Sequence, residues 1–517
     1  MWIIAVATPN HPQTETPMRT IEQARHEVEA GVRKVVALGE RTTGTATDVE
    51  EALWTATLGL GRAVMELFFA RRAAQPRPAR YEHEGRRFEF AGHETTEVGT
   101  RFGKVEILQP VGERTDGVGG GRDLPLMREL GLPAGFTLPV VTLFGRLCAM
   151  MAFGQARTLF GAVFGWSPSP RAVLRMVDAT GEQARPFLEQ AAPPEGDGEV
   201  LVIEADGKGA PAISSREHAR RTLPRAAKAQ NRRHARRAKR RANPRPRRAP
   251  GKKSKNAKVA AVGAIYTLKR DADGKLEGPI NKRVYATFKS YRALFEWLRD
   301  EANKRGYGTK KFSKVLFLAD GAKVLWDLKQ EFFPDALECL DWFHAVEKLW
   351  AAGKAICRGT RRERDALEAW VAKRKKALRA GKVLEILAEL MDTLDETPVT
   401  GPGNKYRREV LDRVINHFAE HAGRMRYMQL RREDLPIGSG VIEGAVRHLV
   451  GVRLDGPGMR WSRDRAEAVL HLRCVLINGH WKAFEAFLAS RPDFRLRAQP
   501  VPTRTHDAKP VTMRKAA

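Results

Sequence analysis

The sequence predicts an α/β protein in which an open β-sheet is combined with large helical regions. Three apolar runs, at 199–205, 315–319 and 336–340, are each followed at once by an aspartate. The continuous run at 315–319 indicates a strand buried on both faces, and the other two are interpreted as strands as well. Helical periodicity separates the later runs and dominates much of the remaining chain. The formal net charge of +30 is the third observation, and it predicts a polyanionic partner, with nucleic acid as the first candidate.

Length and composition set the general class of the protein. A chain of 517 residues has room for about three domains, and 42% hydrophobic residues can build real cores. The cysteines form no CxxC pair, which argues against a disulfide scaffold or zinc ribbon and for a reducing, cytoplasmic setting. They are Cys148, Cys339, Cys357 and Cys474. No secretory signal is expected at the start of the chain. Arg146 and Arg157 interrupt the most apolar region, so no membrane partner is expected either.

Residues 1–123 predict a helical region followed by a small β unit. After an unstructured start we expect two helices. The second is predicted to run from a capping box at Thr47-Asp48-Val49-Glu50 to about Arg72. Residues 87–111 contain the strand-like segments of the β unit.

Residues 124–195 return to helical patterning and contain a segment with the layout of a helix-turn-helix. An apolar helix is predicted to end at Phe164, a turn begins at Gly165, and the next helix carries Arg171 and Arg175. Basic side chains on the second helix are what a major-groove reader needs. A plain αα-hairpin with a glycine turn gives the same pattern, so both interpretations stay open.

A basic arm at 216–258 holds 19 Lys/Arg and a single acid, Glu217. Its charge and its prolines argue against a packed core, so we expect it to contact DNA phosphates without reading bases. The cations predicted to bind DNA in this arm are Arg232, Arg233, Arg236, Arg237, Lys239, Arg240 and Arg241.

The order of elements after residue 196 predicts an RNase H-like sheet. A strand ending at Asp206 is followed by strands at 259–268 and 283–288 and by a helix at 290–304. Two further strands end at Asp320 and Asp341. Three strands before the first helix, with αβ units behind them, place the first and fourth strands side by side in this topology. Asp206 and Asp320 should therefore meet although they are far apart in the sequence.

A third acid completes a candidate catalytic set. The turn Gly438-Ser439-Gly440 opens a helix with Glu443 in its first turn. Asp206, Asp320 and Glu443 are predicted as catalytic residues and metal ligands, because converging carboxylates repel each other unless cations lie between them. Two Mg²⁺ or Mn²⁺ ions about 4 Å apart would serve an in-line displacement at phosphorus.

Structural interpretations of the same residues remain open. Asp320 could close a turn, and Asp341 could cap a helix. Glu443 could be an acid favoured by the helix dipole. In a shifted register Glu204 or Asp327 could take the place of Asp206. His344 is expected to support the site rather than bind metal directly.

Five segments together resemble the DDE transposases of ISKra-group insertion sequences, relatives of the Mutator-like superfamily. They are EADGKGAP, FLADGAKVLWDLKQEFFP, LDWFHAVEKLW, GSGVIEGAVRHLV and GMRWSRDRAEAVLHLR. The resemblance covers about residues 199–481. It implies that Asp206, Asp320 and Glu443 form the metal-binding triad, and it matches Asp341 and His344 to a family motif of Asp or Cys followed by His.

By this resemblance the chain is a prokaryotic, nucleoid-associated transposase that cuts and joins double-stranded DNA at terminal inverted repeats and target sites. It would act as a homo-oligomer, at least a dimer on paired ends. The expected division begins with an N-terminal region (1–123) and a helix-turn-helix-like region (124–195). An RNase H-like core follows in two parts (196–348 and 435–490), with a helical insertion between them (349–434). A disordered tail (491–517) ends the chain. Two other functions stay open: an RNase H-like nuclease or resolvase without strand transfer, and a domesticated DNA-binding protein.

Overall fold

The computed structural model describes residues 21–116, 121–133, 135–211, 213, 257–357, 361–456, 459–491 and 494. The predicted unstructured start, the seven basic-arm cations and most of the predicted tail lie outside these residues. The chain divides into two compact units. Unit 1 comprises Met1–Ala179 and Leu488–Ala517, and unit 2 comprises Thr180–Phe487.

Unit 1 combines helices with an antiparallel four-stranded sheet of order β1-β2-β3-β4. Helix α2 packs on this sheet through a core that includes Phe69, Val98 and Ile107. The two early helices and the small β unit are therefore confirmed. The elements are α1 (Ile21–Gly39), α2 (Ala46–Ala73), β1 (Arg80–His83), β2 (Arg86–Thr100), β3 (Gly103–Arg114), β4 (Arg122–Asp123), α3 (Pro125–Glu129), α4 (Leu138–Met150) and α5 (Phe153–Phe164).

The capping box of α2 lies two residues earlier than predicted. Thr45 is the N-cap, its side chain accepts a hydrogen bond from the Asp48 N–H, and the Asp48 carboxylate accepts from the Thr45 N–H. The prediction that Thr47 caps the helix was wrong, because the helix begins two residues earlier and Thr45 with Asp48 forms the capping box.

The predicted helix–turn–helix layout is present at 153–190. Helix α5 ends at Phe164, Gly165 adopts a left-handed conformation with φ of 72°, and α6 spans Pro170–Gln190. Phe160 of α5 packs on Phe144 of α4. These facts establish two consecutive helices joined by a glycine turn, and they are compatible with either interpretation of their role.

Unit 2 is built on a five-stranded mixed sheet of order β7-β6-β5-β8-β9. β5 pairs with β8 in parallel, β8 pairs with β9 in parallel, and β6 runs antiparallel to both β5 and β7. The predicted pairing of the first and fourth strands is therefore confirmed. The strands are β5 (Val200–Pro211), β6 (Ala257–Arg270), β7 (Leu276–Thr287), β8 (Lys314–Ala319) and β9 (Leu337–Leu340).

β5 does not end at Asp206 as predicted but continues to Pro211. The physical reason is its partner on the other side: β6 stays paired with β5 until Pro211 meets Ala257. The parallel pairing with β8 does stop at Ala205 and Ala319. Asp206 therefore still lies at the edge of the sheet where β8 ends.

Helices cover this sheet and form a helical block after β9. The bounds are α7 (Tyr291–Arg305), α8 (Lys323–Phe332), α9 (Trp342–Ile356), α10 (Arg361–Arg379), α11 (Val383–Glu396), α12 (Asn404–His421), α13 (Tyr427–Arg432), α14 (Gly440–Val446), α15 (Val452–Leu454), α16 (Arg463–Ile477) and α17 (Trp481–Ala489). A 3₁₀ turn at Ala422–Arg424 follows α12, and a π-helical stretch at Arg447–Gly451 joins α14 to α15. The predicted start of the helical insertion, residue 349, falls inside α9.

Two helices close unit 2. α16 begins after Ser462 and ends at Ile477, and α17 starts at Trp481. Gly479, with φ of 75°, makes the turn between them. In the described parts of the chain no helix is long and apolar enough to cross a membrane.

Candidate active site

Three aspartates follow the last parallel-paired residues of three neighbouring strands. Ala205 of β5 pairs with Ala319 of β8, which pairs in turn with Leu340 of β9. The next residue of each segment is an aspartate, and we call these three the acid row: Asp206, Asp320 and Asp341. Parallel pairing produces this arrangement, because the carboxyl ends of parallel strands lie at one edge of the sheet, where ligands of open α/β sheets bind.

Asp206 and Asp320 each keep one carboxylate oxygen available. One oxygen of Asp206 accepts a hydrogen bond from the Gly207 N–H, and one of Asp320 accepts from the Ala322 N–H at 2.9 Å. Within the described residues no donor reaches the second oxygen of either carboxylate. Both side chains are half-buried. They can therefore still offer oxygen atoms to a ligand.

Electrostatics show that the acid row is crowded with negative charge. Burial raises the pKa of Asp206, and the nearby carboxylates of Asp320 and Asp341 raise it further. The Gly207 N–H and the His344 imidazole oppose this shift of the pKa. Like charges this close favour either a shared proton or a bound cation.

Asp341 is a buried clamp for the segment that leads into α14. Its side chain caps α9 by accepting hydrogen bonds from the Phe343 and His344 N–H groups at 3.3 and 3.2 Å. It also accepts from the Ser439 N–H at 2.9 Å. Asp341 is only 4% exposed, so its oxygens are committed to holding the backbone.

Glu204 is a second buried clamp, on the same face of β5 as Asp206. One of its oxygens accepts from the Tyr266 hydroxyl at 2.8 Å and the other from the Ile442 N–H of α14 at 2.7 Å. Burial raises the pKa of Glu204 to about 7. With both oxygens engaged, Glu204 is poorly suited to replace Asp206 as a ligand. Asp327 is exposed on α8.

Glu443 lies in the first turn of α14, next to the residue that Glu204 holds. Its side chain is exposed. Within the described residues Glu443 does not join Asp206 and Asp320 in a group arranged to hold a metal ion. The structure brings the helix of Glu443 to β5 through the Glu204–Ile442 hydrogen bond without joining the three predicted acids into one cluster.

At the other end of this helical segment, Arg473 stabilises the π-helical stretch. Its buried guanidinium donates to the Leu449 carbonyl at 3.0 Å and to the carbonyl of His448. π-Helical turns leave carbonyls without their usual partners and occur frequently at functional sites. Glu204, Asp341 and Arg473 together hold both ends of the segment that carries Glu443.

His344 is half-buried in the first turn of α9. Its imidazole is near enough to Asp206 to lower the pKa of that carboxyl and near enough to His417 to lower the pKa of that ring. The structure thus places His344 beside the acid row. A supporting role for it stays a prediction.

Sequence reasoning missed two histidines at the end of α12. His417 and His421 lie against Gly321, where a side-chain carbon would overlap the His417 ring. Arg424 can only donate, so its contact of 2.8 Å makes His421 Nδ1 an acceptor. Burial lowers the pKa of His421, and it lowers that of His417 to about 4. Two neutral imidazoles therefore flank the turn that follows Asp320; their spacing of four residues on one helix was the available signal.

Tyr291 is a third residue that the sequence did not reveal. Its hydroxyl lies over Gly207, at a place where any side-chain carbon would clash with it. Burial and the charges of Asp206 and Asp320 raise the pKa of Tyr291 to about 12. A neutral phenol therefore borders the acid row, at a position that no local pattern in the sequence marks.

The donor set of the acid row fits a hard divalent cation. Carboxylate oxygens are the ligands that Mg²⁺ prefers, with open positions kept for water and phosphate. Asp206 and Asp320 supply such oxygens from adjacent strands. No group of three or more His, Cys, Asp or Glu side chains in the described ranges is arranged to hold a metal ion. The structure therefore offers two carboxylates rather than a complete triad.

The predicted DNA-binding residues are placed only in part. Arg171 is exposed and Arg175 half-buried on α6. The basic-arm cations, from Arg232 to Arg241, lie outside the described residues.

Comparison with known proteins gives little further guidance. No family model matches the chain, and no curated protein does. Among solved structures, the chain is similar to one described as "Drosophila P element transposase strand transfer complex", at 10% identity and a TM-score of 0.25. The match covers 67% of this chain and 93% of that chain. A likeness at this TM-score does not define a shared fold.

Proposed function

We propose that the protein is a DDE-type transposase that binds terminal inverted repeats and catalyses metal-dependent cleavage and transfer of DNA strands. The observation that carries the proposal is the placement of Asp206 and Asp320. They follow the last parallel pair of two adjacent strands, and each has one oxygen that no donor among the described residues reaches. The strand order β7-β6-β5-β8-β9, with β6 antiparallel, is the order expected of an RNase H-like sheet.

In this proposal Asp206 and Asp320 hold divalent cations through their free oxygens. Two Mg²⁺ or Mn²⁺ ions, when bound, activate an attacking oxygen and stabilise a leaving oxygen at phosphorus. A bound cation would relieve the repulsion that contributes to the raised pKa of Asp206. Two ionised carboxylates are therefore more favourable with the cation bound than without it.

Glu443 is proposed as the third carboxylate. Its helix is tied to β5 through Glu204 and to the start of α9 through Asp341. These two clamps fix the backbone next to Glu443 while its exposed side chain keeps rotameric freedom. Asp341 and His344 would then act by positioning: Asp341 through the backbone, His344 through its imidazole beside Asp206.

The charge of the chain supplies the proposed contact with DNA. The net charge of +30 and the basic arm suit the phosphate backbone, and Arg171 and Arg175 of α6 suit a groove-reading helix. Binding two ends at once would require at least a dimer. Contacts to phosphates alone would give affinity without sequence preference.

A nuclease or resolvase with the same acids, but without strand transfer, is the nearest alternative, and a domesticated DNA-binding protein is the next. Joining activity on paired ends separates the first from a transposase. A pure binder has no use for two close carboxylates beside phosphate, so the acid row argues against the second.

The test is a cleavage and joining assay on DNA carrying the inverted repeats that flank the gene, with Mg²⁺ or Mn²⁺. Asp320→Asn should abolish both reactions and leave repeat binding intact. Asp327→Asn is the matched control, because it makes the same chemical change at an exposed aspartate on α8 and should keep full activity. Cleavage by Asp320→Asn at the wild-type rate would overturn the proposal.

A further inference from the structure

A basic cleft lies between α10 and α13, in the helical block of unit 2. Its volume is about 440 Å³, and no acidic side chain lines it. Four of the six lining residues are cations: Lys375, Lys376, Arg379 and Arg431. We refer to these four side chains and the space between them as the cationic cleft.

The cations of the cleft differ from their neighbours in having no carboxylate partner. Arg374 of α10 pairs with Glu389 at 2.8 Å, and Lys382 pairs with Glu385 at 3.0 Å. In the described residues none of the four cleft cations forms an ion pair. Charges that fold without internal partners remain available to an external anion.

The cleft is connected to the acid row through Trp342. The guanidinium of Arg379 lies over the Trp342 ring, 5.0 Å from the ring centroid. The Tyr427 ring of α13 also packs on Trp342, with 5.2 Å between the two ring centroids. The Tyr427 hydroxyl donates to the Leu340 carbonyl at 3.0 Å. Trp342 and Leu340 are the two chain neighbours of Asp341, so Arg379 of the cleft is linked to the backbone of the acid row through the buried Trp342 ring.

We propose that the cationic cleft binds backbone phosphates of the DNA that flanks the acid row. This inference rests on the proposed function for the identity of its ligand. A small enclosed anion is a poorer match, because Lys376, Arg379 and Arg431 are exposed on long side chains rather than fixed in a buried pocket. A phosphate backbone instead offers repeated charges to cations spread over two helices.

The experiment measures affinity for random-sequence duplex DNA by fluorescence anisotropy over a range of salt concentrations, in EDTA, with the full chain. The double variant Lys376→Gln/Arg379→Gln removes two cleft cations. If each contacts one phosphate, the log–log slope of affinity against salt flattens by about 1.8, and affinity near 0.1 M salt falls on the order of 10- to 100-fold.

The matched control is Lys405→Gln/Arg413→Gln. It removes one lysine and one arginine, both exposed on α12, and so changes the net charge equally. Lys405 lies about 24 Å along that helix from His421, which borders the acid row. The inference is supported if only the cleft variant flattens the slope. Equal flattening by both variants, or by neither, would overturn it, because the cleft would then contribute no more than diffuse charge.

A further arm separates DNA from small anions. One combination of results would show that the cleft is a small-anion site and that the inference is wrong. In that case inorganic phosphate stabilises the wild type thermally but not the cleft variant, and the two proteins have the same DNA salt slope. Because all binding is measured in EDTA, the result does not depend on cleavage. A chain that binds DNA through the cleft but never cuts it would contradict the proposed function alone.

Discussion

Two pairs of acids at one edge of the sheet have opposite environments. Glu204 and Asp341 are buried, and the oxygens of each accept hydrogen bonds from at least two donors. Asp206 and Asp320 are half-buried, and each keeps an oxygen that receives no hydrogen bond from the part of the chain that the structure describes. All four lie within two residues of the last parallel pairs of β5, β8 and β9.

The difference shows how one site separates support from chemistry. A carboxylate whose oxygens all accept backbone or tyrosine hydrogen bonds stabilises the fold but has no oxygen available to bind a ligand. A carboxylate with a free oxygen next to a like charge contributes less to folding and is ready for a cation. The buried pair should therefore control stability, and the half-buried pair should control activity.

The largest expected effect on stability is that of Asp341→Ala. The change leaves the N–H groups of Phe343, His344 and Ser439 without their acceptor. Losing a helix cap and a further buried hydrogen bond should lower the free energy of unfolding by about 3–5 kcal/mol. Chemical denaturation measures it.

Asp341→Asn is the control, since it keeps an acceptor oxygen and should cost less than half as much. If the alanine variant is as stable as the wild type, Asp341 is no clamp and the contrast between the pairs fails.

The second prediction concerns the dependence of stability on pH at Glu204. Its folded pKa of about 7 lies above the ordinary value of 4.5, so the folded state holds this proton more tightly than the unfolded state. That stabilisation is complete below about pH 4.5 and is lost as pH rises through 7. It amounts to about 3 kcal/mol.

The Glu204→Gln variant has an amide that does not titrate in this pH range. The difference in free energy of unfolding between wild type and this variant should therefore shift by that amount between the two pH values, in EDTA. A difference that does not change with pH would show that Glu204 is not buried as described.

A smaller effect is expected where α12 meets the turn after Asp320. In Gly321→Ala the new methyl group overlaps the His417 ring, so the helix end or the turn must move. Overpacking of this kind costs about 1–3 kcal/mol. Gly423→Ala is the matched control, because no atom lies within 4 Å of the added carbon. Equal unfolding midpoints for the two variants would contradict the described packing.

The sequence was sufficient to predict that β5 pairs with β8 in unit 2. The mostly apolar segments 199–205 and 315–319 are each followed by an aspartate, so the pairing and the position of Asp206 and Asp320 could be inferred. Local signals of this kind are strong because burial on both faces demands them.

The sequence could not assign roles to the acids. Glu204 and Asp206 lie on the same face of β5 and differ only in what approaches them: Tyr266 and Ile442 reach one, and neither reaches the other. Those contacts come from residues distant in the chain. The same reason explains why Tyr291 and His417 were missed, and why β5 was expected to end at Asp206 rather than to follow β6.

The smallest change in metal-free stability is expected for Asp206→Asn, less than about 1 kcal/mol, because the variant also removes repulsion with Asp320. This variant supplies the most direct test of the central claim that the half-buried pair holds a divalent cation. Calorimetry in EDTA and in excess Mg²⁺ or Mn²⁺ measures it, since binding at 100 times Kd stabilises a fold by about 2.7 kcal/mol. The account predicts that metal raises the Tm of the wild type and of Asp327→Asn but not that of Asp206→Asn or Asp320→Asn. An equal rise in all four proteins, or no rise in the wild type, would contradict it.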